Sequence, residues 1–244
     1  MSDVTTCKEL LQRYSLARIP FIVIDSMERA RTLEILKDVS EELSLPFYAH
    51  TLSKGTYDIG TEKVLNEDKS FYGAVDYMME QMQRRQYLTI VLTEVPDISS
   101  DNADARLMLG LVNLANETGG VVMVISGNSI WNQLQRQGMM VKVDLPNEEE
   151  MYAILKEYID DYRNDIPIEW DNADVREAAS MLAGVSRIEA ENVIAALIAK
   201  KCVRKADLDE IRFTKDRLFS DISGLERIEV DDSVKEVGGL DGLR

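Results

Sequence analysis

The sequence predicts an α/β protein: a five-stranded, parallel, doubly wound sheet followed by a small all-helical unit. Three observations carry this reading. Residues 87–96 read Tyr-Leu-Thr-Ile-Val-Leu-Thr-Glu-Val-Pro, a β-branched and apolar run set between Arg84-Arg85-Gln86 and Pro96-Asp97. That is the pattern of a strand buried on both faces at the middle of a parallel sheet. Up to Pro146, strand-like runs alternate with helical periodicity, which is the signature of parallel βαβ layering. Beyond Pro146 only helical periodicity remains.

The elements follow in chain order. Residues 5–17 set Leu10, Leu11, Tyr14 and Leu16 among charges and predict a short amphipathic helix. Residues 19–25 form the first strand, with Pro20 tolerable at its start. Ser26 is expected to cap a helix reaching residue 43, in which Met27, Ala30, Leu33, Ile35, Leu36 and Val39 keep the helical period. Residues 45–52 form the second strand, and the polar stretch 53–69, with Gly55 and Gly60, reads as a loop. Residues 71–83 form a helix with Tyr72, Val75, Met78, Met79 and Met82 on one face, and such a methionine-rich face reads as core. The central strand follows. Residues 101–117 form a helix with Leu107, Leu111, Val112 and Leu114 inward, ended by Gly119-Gly120. Residues 121–126 form the fourth strand. A short helix at 130–137 is closed by Gly138, and a fifth strand at 140–145 is stopped by Pro146. Helices are then expected at 148–162, 172–183, 187–201 and 206–219. The domains divide as 1–146 for the α/β unit, 147–219 for the helical unit and 220–244 for a charged connector.

Composition narrows the function classes. The chain has 244 residues, 45% hydrophobic and 30% charged, the balance of a globular protein. No apolar run approaches the roughly 20 residues that span a bilayer. The N-terminus lacks the basic start and apolar stretch of a secretory signal. Cys7 and Cys202 lie far apart and suit a reduced, cytoplasmic chain. With His50 as the single histidine, no multi-histidine metal site is expected. A net charge of -16 disfavours nucleic-acid and membrane partners. The basic clusters, Arg84-Arg85 and Lys200-Lys201 with Arg204-Lys205, read as charges that complement helix C-termini.

The motifs of nucleotide chemistry are missing. A phosphate-binding loop needs glycines, then Lys and Ser/Thr, so that backbone amides wrap the phosphates. After Ile24-Asp25 the chain instead has Ser26-Met27-Glu28-Arg29-Ala30, and Glu28 puts a negative charge where phosphates would sit. The dinucleotide fingerprint is absent too. The acidic pair that manages magnesium and water at the central strand end is reduced to Thr93-Glu94, with one carboxylate left. Ser126-Gly127 and Ser129 follow a strand without a nucleophile-elbow motif. His50, at the end of the second strand, reads as structural. Cys202 follows two lysines, which lower a thiol pKa, but it has no partner base in view.

Several stretches resemble AAA+ modules. Residues 133–139 (Gln-Leu-Gln-Arg-Gln-Gly-Met) and 141–150 (Val-Lys-Val-Asp-Leu-Pro-Asn-Glu-Glu-Glu) look like the family's Leu-Arg-x-Pro-Gly-Arg stretch, its following strand and its Leu-Pro helix start. Residues 184–190 (Gly-Val-Ser-Arg-Ile-Glu-Ala) sit where the lid carries its sensor-2 segment. Residues 237–243 (Val-Gly-Gly-Leu-Asp-Gly-Leu) look like the start of a second AAA+ module. The ordering resembles the degenerate N-terminal domain of the AAA+ ATPases of the plastid and cyanobacterial hypothetical-reading-frame type. The resemblance implies an ATPase parent whose ATP and magnesium belong to the downstream module, with Gly238 and Gly239 beside its adenine. Vestigial-site positions in this chain are Ser26, Thr93, Glu94, Arg136 and Arg187. The family's arginine finger falls at Met139, leaving Arg136.

The expectation is therefore a non-catalytic AAA-like domain, with no catalytic, cofactor or metal residues of its own. It would serve assembly, regulation or partner binding, its partners being its own downstream module, neighbouring subunits of a ring or a protein client. One alternative is a receiver-like signalling domain with a helical output, although Thr93 stands where a phosphorylatable aspartate is expected. The other is an enzyme using a strand-end site around Glu94, His50 and Ser126.

Overall fold

A computed structural model describes residues 4–214. The expected module start, with Gly238 and Gly239, and the whole of the connector lie outside the described residues. The chain divides into two compact units between Asn147 and Glu148.

In the first unit the elements run α1 (Val4–Leu16), β1 (Phe21–Asp25), α2 (Arg29–Leu43), β2 (Phe47–Thr51), β3 (Gly55–Asp58), β4 (Val64–Asn66), α3 (Phe71–Arg84), β5 (Thr89–Leu92), α4 (Ala103–Thr118), β6 (Val121–Ile125), α5 (Asn132–Gln135) and β7 (Gly138–Lys142). They build one mixed sheet in the order β4-β3-β2-β5-β6-β1-β7. The five expected strands are β2, β5, β6, β1 and β7, all parallel.

Successive strand side chains point to opposite faces, so a doubly wound sheet needs apolar residues at every position. β1 meets this need directly. Phe21 and Val23 pack with α3, α4 and α5 on one face, and Ile22 and Ile24 pack with α1 and α2 on the other. All five residues of β6 and all four of β5 are buried.

The sheet departs from the expected one at four places. The stretch 53–69, expected as a loop, holds β3 and β4, which extend the sheet antiparallel from β2. Four- and three-residue strands are too short to show a period of two. Gly55 at φ +80° allows the close approach, since a Cβ there would stand 2.3 Å from the Asn66 carbonyl oxygen. β5 stops at Leu92 and starts after Tyr87, whose φ of 65° breaks the extended run. β7 begins at Gly138, two residues early, because a Cβ at 138 would meet the Phe21 carbonyl oxygen at 1.7 Å. Tyr72 is exposed and donates its hydroxyl to Asp104 at 2.7 Å, so the inward face of α3 is Phe71, Ala74, Val75, Met78 and Met82.

In the second unit, α6 (Glu148–Tyr162), α7 (Asn172–Leu182) and α8 (Arg187–Ile198) enclose a separate core around Trp170. Residues 207–214 are helical as well. Asp171 with Asp174, and Ser186 with Glu189, form reciprocal capping boxes that start α7 and α8. Among the described residues no helix is long and apolar enough to cross a membrane.

Candidate functional site

Open α/β sheets bind ligands outside the carboxyl ends of their strands. Here the ends of β1, β5 and β6 border a crevice of about 370 Å³, lined by Ser26, Arg29, Thr93, Glu94, Ser126 and Asn128 among others. A second crevice of about 360 Å³, along residues 95–99, shares Val95, Ser126 and Asn128 with it. Ser26, Thr93 and Glu94 are thus brought together, and Ser126 joins them. Arg136 is not among the lining residues; it caps α5, its Nε donating to Asn132 Oδ1 at 3.2 Å. Arg187 opens α8 in the helical unit, where its Nε donates to Glu191 Oε1 at 2.7 Å.

The turn after β1 does not have the open form of a phosphate loop. Ser26 does not cap α2: the helix begins at Arg29, and Glu28 holds the cap position without a side-chain capping bond. Ser26 Oγ instead accepts the Glu28 N–H at 3.1 Å, and Thr32 Oγ1 lies 2.8 Å from both Ser26 Oγ and the Glu28 carbonyl oxygen. Glu28 and Arg31 are both buried. Arg31 Nη1 donates to Glu28 Oε2 at 2.8 Å and to the Asp144 carbonyl at 2.7 Å.

Spacing makes this turn legible in retrospect. Laid on Gly-x₄-Gly-Lys-Ser/Thr, residues 25–32 put Asp25 and Ala30 at the glycines, Arg31 at the lysine and Thr32 at the hydroxyl. A search for the motif's own residue types passes over this register. The cation and hydroxyl positions keep their chemistry, but the loop folds on itself and Arg31 is bound to an internal carboxylate.

The central strand end is equally occupied. Glu94 Oε2 accepts the Leu52 N–H at 3.0 Å and lies 2.7 Å from Thr93 Oγ1, while Oε1 pairs with Arg29. Thr93 Oγ1 is also 2.9 Å from the His50 carbonyl oxygen. The imidazole of His50 is fully buried and is not among the residues lining either crevice, so it is not placed as a rim base. Among the described residues no cluster of three or more His, Cys, Asp and Glu side chains could hold a metal ion.

Burial pushes the His50 pKa below its ordinary value, against the opposing pull of Asp68. A histidine held neutral in the folded state takes up its proton on unfolding. Stability is therefore complete above the ordinary imidazole range and falls as pH drops below about 6.5, with a slope of up to about 1.4 kcal/mol per pH unit. Urea unfolding at pH 7.5 and 5.5 should show this loss, and His50→Leu should remove it. The exposed carboxylates with lowered pKa, such as Asp68 and Asp160, add their own loss only in the more acidic carboxylate range.

With this geometry in view, the comparisons place the chain. Residues 7–143, more than half of it, match the model of the SpoVK-like AAA ATPase N-terminal domain. The chain belongs to the SpoVK-like AAA ATPase family. Residues 149–231 match the model of the second domain of SpoVK-like ATPases. No curated protein sequence matches significantly.

Solved structures share the fold with this SpoVK-like chain. A chain of the Escherichia coli MS115-1 HORMA:CdnC:Trip13 complex is 12% identical, with 87% of this chain and 88% of that chain covered and a TM-score of 0.59. Caenorhabditis elegans PCH-2 is 10% identical, with 87% and 68% covered and a TM-score of 0.58. The Thermotoga maritima RuvB Holliday junction branch migration motor is 14% identical, with 90% and 71% covered and a TM-score of 0.52. These likenesses establish the AAA+ fold.

Proposed function

We propose that this SpoVK-like chain is a non-catalytic AAA-like domain that serves assembly, regulation or partner binding for a linked AAA+ ATPase. The observation that carries the reading is the strand-end crevice. Its phosphate-loop positions are tied up in the buried Arg31–Glu28 pair, and its one remaining carboxylate, Glu94, is tied up by Arg29. A phosphoryl-transfer site needs a backbone cradle, a metal aspartate and a free water-positioning group. This chain has Glu28 in the turn, Thr93 at the metal position and a paired Glu94.

ATP and magnesium then belong to the downstream module, and the partners are that module, neighbouring subunits and a protein client. The net charge of -16 argues against nucleic acid and anionic membranes. The two widely separated cysteines, Cys7 and Cys202, suit a reduced, cytoplasmic setting. Protein partners are supported by the fold neighbour solved in a complex with HORMA and CdnC. Residues 144–150 and 188–192 favour the plastid and cyanobacterial type within the family.

A fluorescent ATP analogue titrated into the chain, with and without magnesium, should show no saturable binding. Saturable, magnesium-dependent binding would sink the reading. Co-purification with the downstream module on a separate chain is the matching positive result.

A further inference from the structure

We infer that the Arg29–Glu94 ion pair is a built-in ligand of the strand-end crevice: the carboxylate satisfies the guanidinium and keeps a small external oxyanion out. The inference rests on the non-catalytic reading and gives it a cause. Arg29 is the cationic side chain of the crevice lining, and Glu94 is its anionic one. Glu94 is held in place from three sides. Its Oε2 receives the Leu52 N–H and stands beside the Thr93 hydroxyl, and its Oε1 meets Arg29. The carboxylate therefore bridges three segments: the first turn of α2, the β2–β3 turn and the end of β5.

Charge explains why such a pair closes the site. Arg29 and Glu94 cancel, so the crevice offers an incoming anion no net attraction within a chain of charge -16. Asp97, on the adjoining crevice, adds to the repulsion. Space is not the barrier, because about 370 Å³ exceeds the volume of a diphosphate and the lining includes the polar side chains of Ser126 and Asn128. Removing the negative member alone leaves an Arg fork facing a roomy polar crevice, and such a fork binds phosphate oxygens in charge-assisted bonds.

Glu94→Gln tests this. Glutamine keeps an oxygen for the Leu52 N–H and loses the charge. Calorimetric titration of the full chain with inorganic pyrophosphate should show no binding to the wild type and saturable, salt-sensitive binding to Glu94→Gln, a gain of at least about tenfold. Adding Arg29→Ala to Glu94→Gln should abolish it. Equal behaviour of wild type and a folded Glu94→Gln variant overturns the inference, and so does binding that survives Arg29→Ala. Phenylglyoxal labelling of the wild-type chain reads the same pair without a substitution. Arg29 is itself half-exposed, yet its ion pair should make it react more slowly than Arg136, with no protection by pyrophosphate, and equal rates or protection overturn the inference. Nucleotide binding by the wild type would instead sink the non-catalytic reading, so the two failures are distinct.

Discussion

Replacing Arg31 with methionine is expected to lower the stability of the α/β unit by about 3–5 kcal/mol, the range found when one partner of a buried ion pair is removed. Both side chains of the pair are more than nine-tenths buried, and Arg31 also ties the start of α2 to the Asp144 carbonyl after β7. Methionine fills much of the volume but takes the Arg31 guanidinium away from the buried Glu28 carboxylate. The cost should fall mostly on the folded state, so the urea midpoint drops while the slope stays constant. Trp131, in this unit, reports the transition by fluorescence. A Glu28→Leu/Arg31→Met double variant should recover most of the loss, because replacing both charges leaves no buried ion. A drop below about 1 kcal/mol for Arg31→Met would mean that the pair is solvated like a surface bridge. The experiment bears on function as well as stability, because it asks whether the turn after β1 serves as a structural fastener.

Trp170→Ala is expected to remove a comparable amount, about 3–5 kcal/mol, from the helical unit. Trp170 is 1% exposed at the centre of that unit's core. Its Nε1 donates to the Arg204 carbonyl at 2.8 Å and its own carbonyl accepts from Arg163 Nη2 at 2.9 Å. It thereby fastens the start of α7 both to the end of α6 and to the segment after α8. Alanine opens a large cavity and strands the Arg204 carbonyl. Trp170→Phe keeps most of the volume and should cost less, about 1–3 kcal/mol for the unpaired group. Since none of the residues around Trp170 belongs to the cores of the α/β unit, far-ultraviolet dichroism should show lost helix while Trp131 emission stays native. A shift of Trp131 emission in step with the helix loss would show that the two cores unfold together.

Much of this architecture was legible in the residues. β5 and β6 are so uniformly apolar that only a strand covered on both faces could hold them. α6 runs from Glu148 to Tyr162, where its three acidic residues and apolar period put it. The capping boxes at Asp171 and Ser186 start the helices that the sequence starts there. These signals are local, and local signals survive without knowledge of the partner surface. β3 and β4 were not legible, because strands of four and three residues give too few alternations to stand out in a polar, glycine-containing stretch, and only their hairpin pairing to β2 and to each other identifies them. The exposure of Tyr72 had no signal either, since an aromatic on the apolar edge of α3 reads as core until its hydroxyl finds Asp104.

For the site, the sequence by itself determined what is missing: the phosphate-loop glycines, the lysine and the metal aspartate. Through the family resemblance it also named Ser26, Thr93 and Glu94 together as vestigial-site positions, although the strands they follow, β1 and β5, are separated in the sheet by β6. Only the tertiary structure decided what replaces the missing groups. Arg31 sits at the lysine's spacing, yet whether it reaches into the crevice or turns to Glu28 and Asp144 depends on where β7 lies beside β1. Arg29 and Glu94 are 65 residues apart and pair because β1 and β5 flank β6 and, running parallel to it, end at the same edge of the sheet. A sequence shows which charges a chain carries; the balance between solvation and pairing that sets their partners is struck only when the fold brings them within reach.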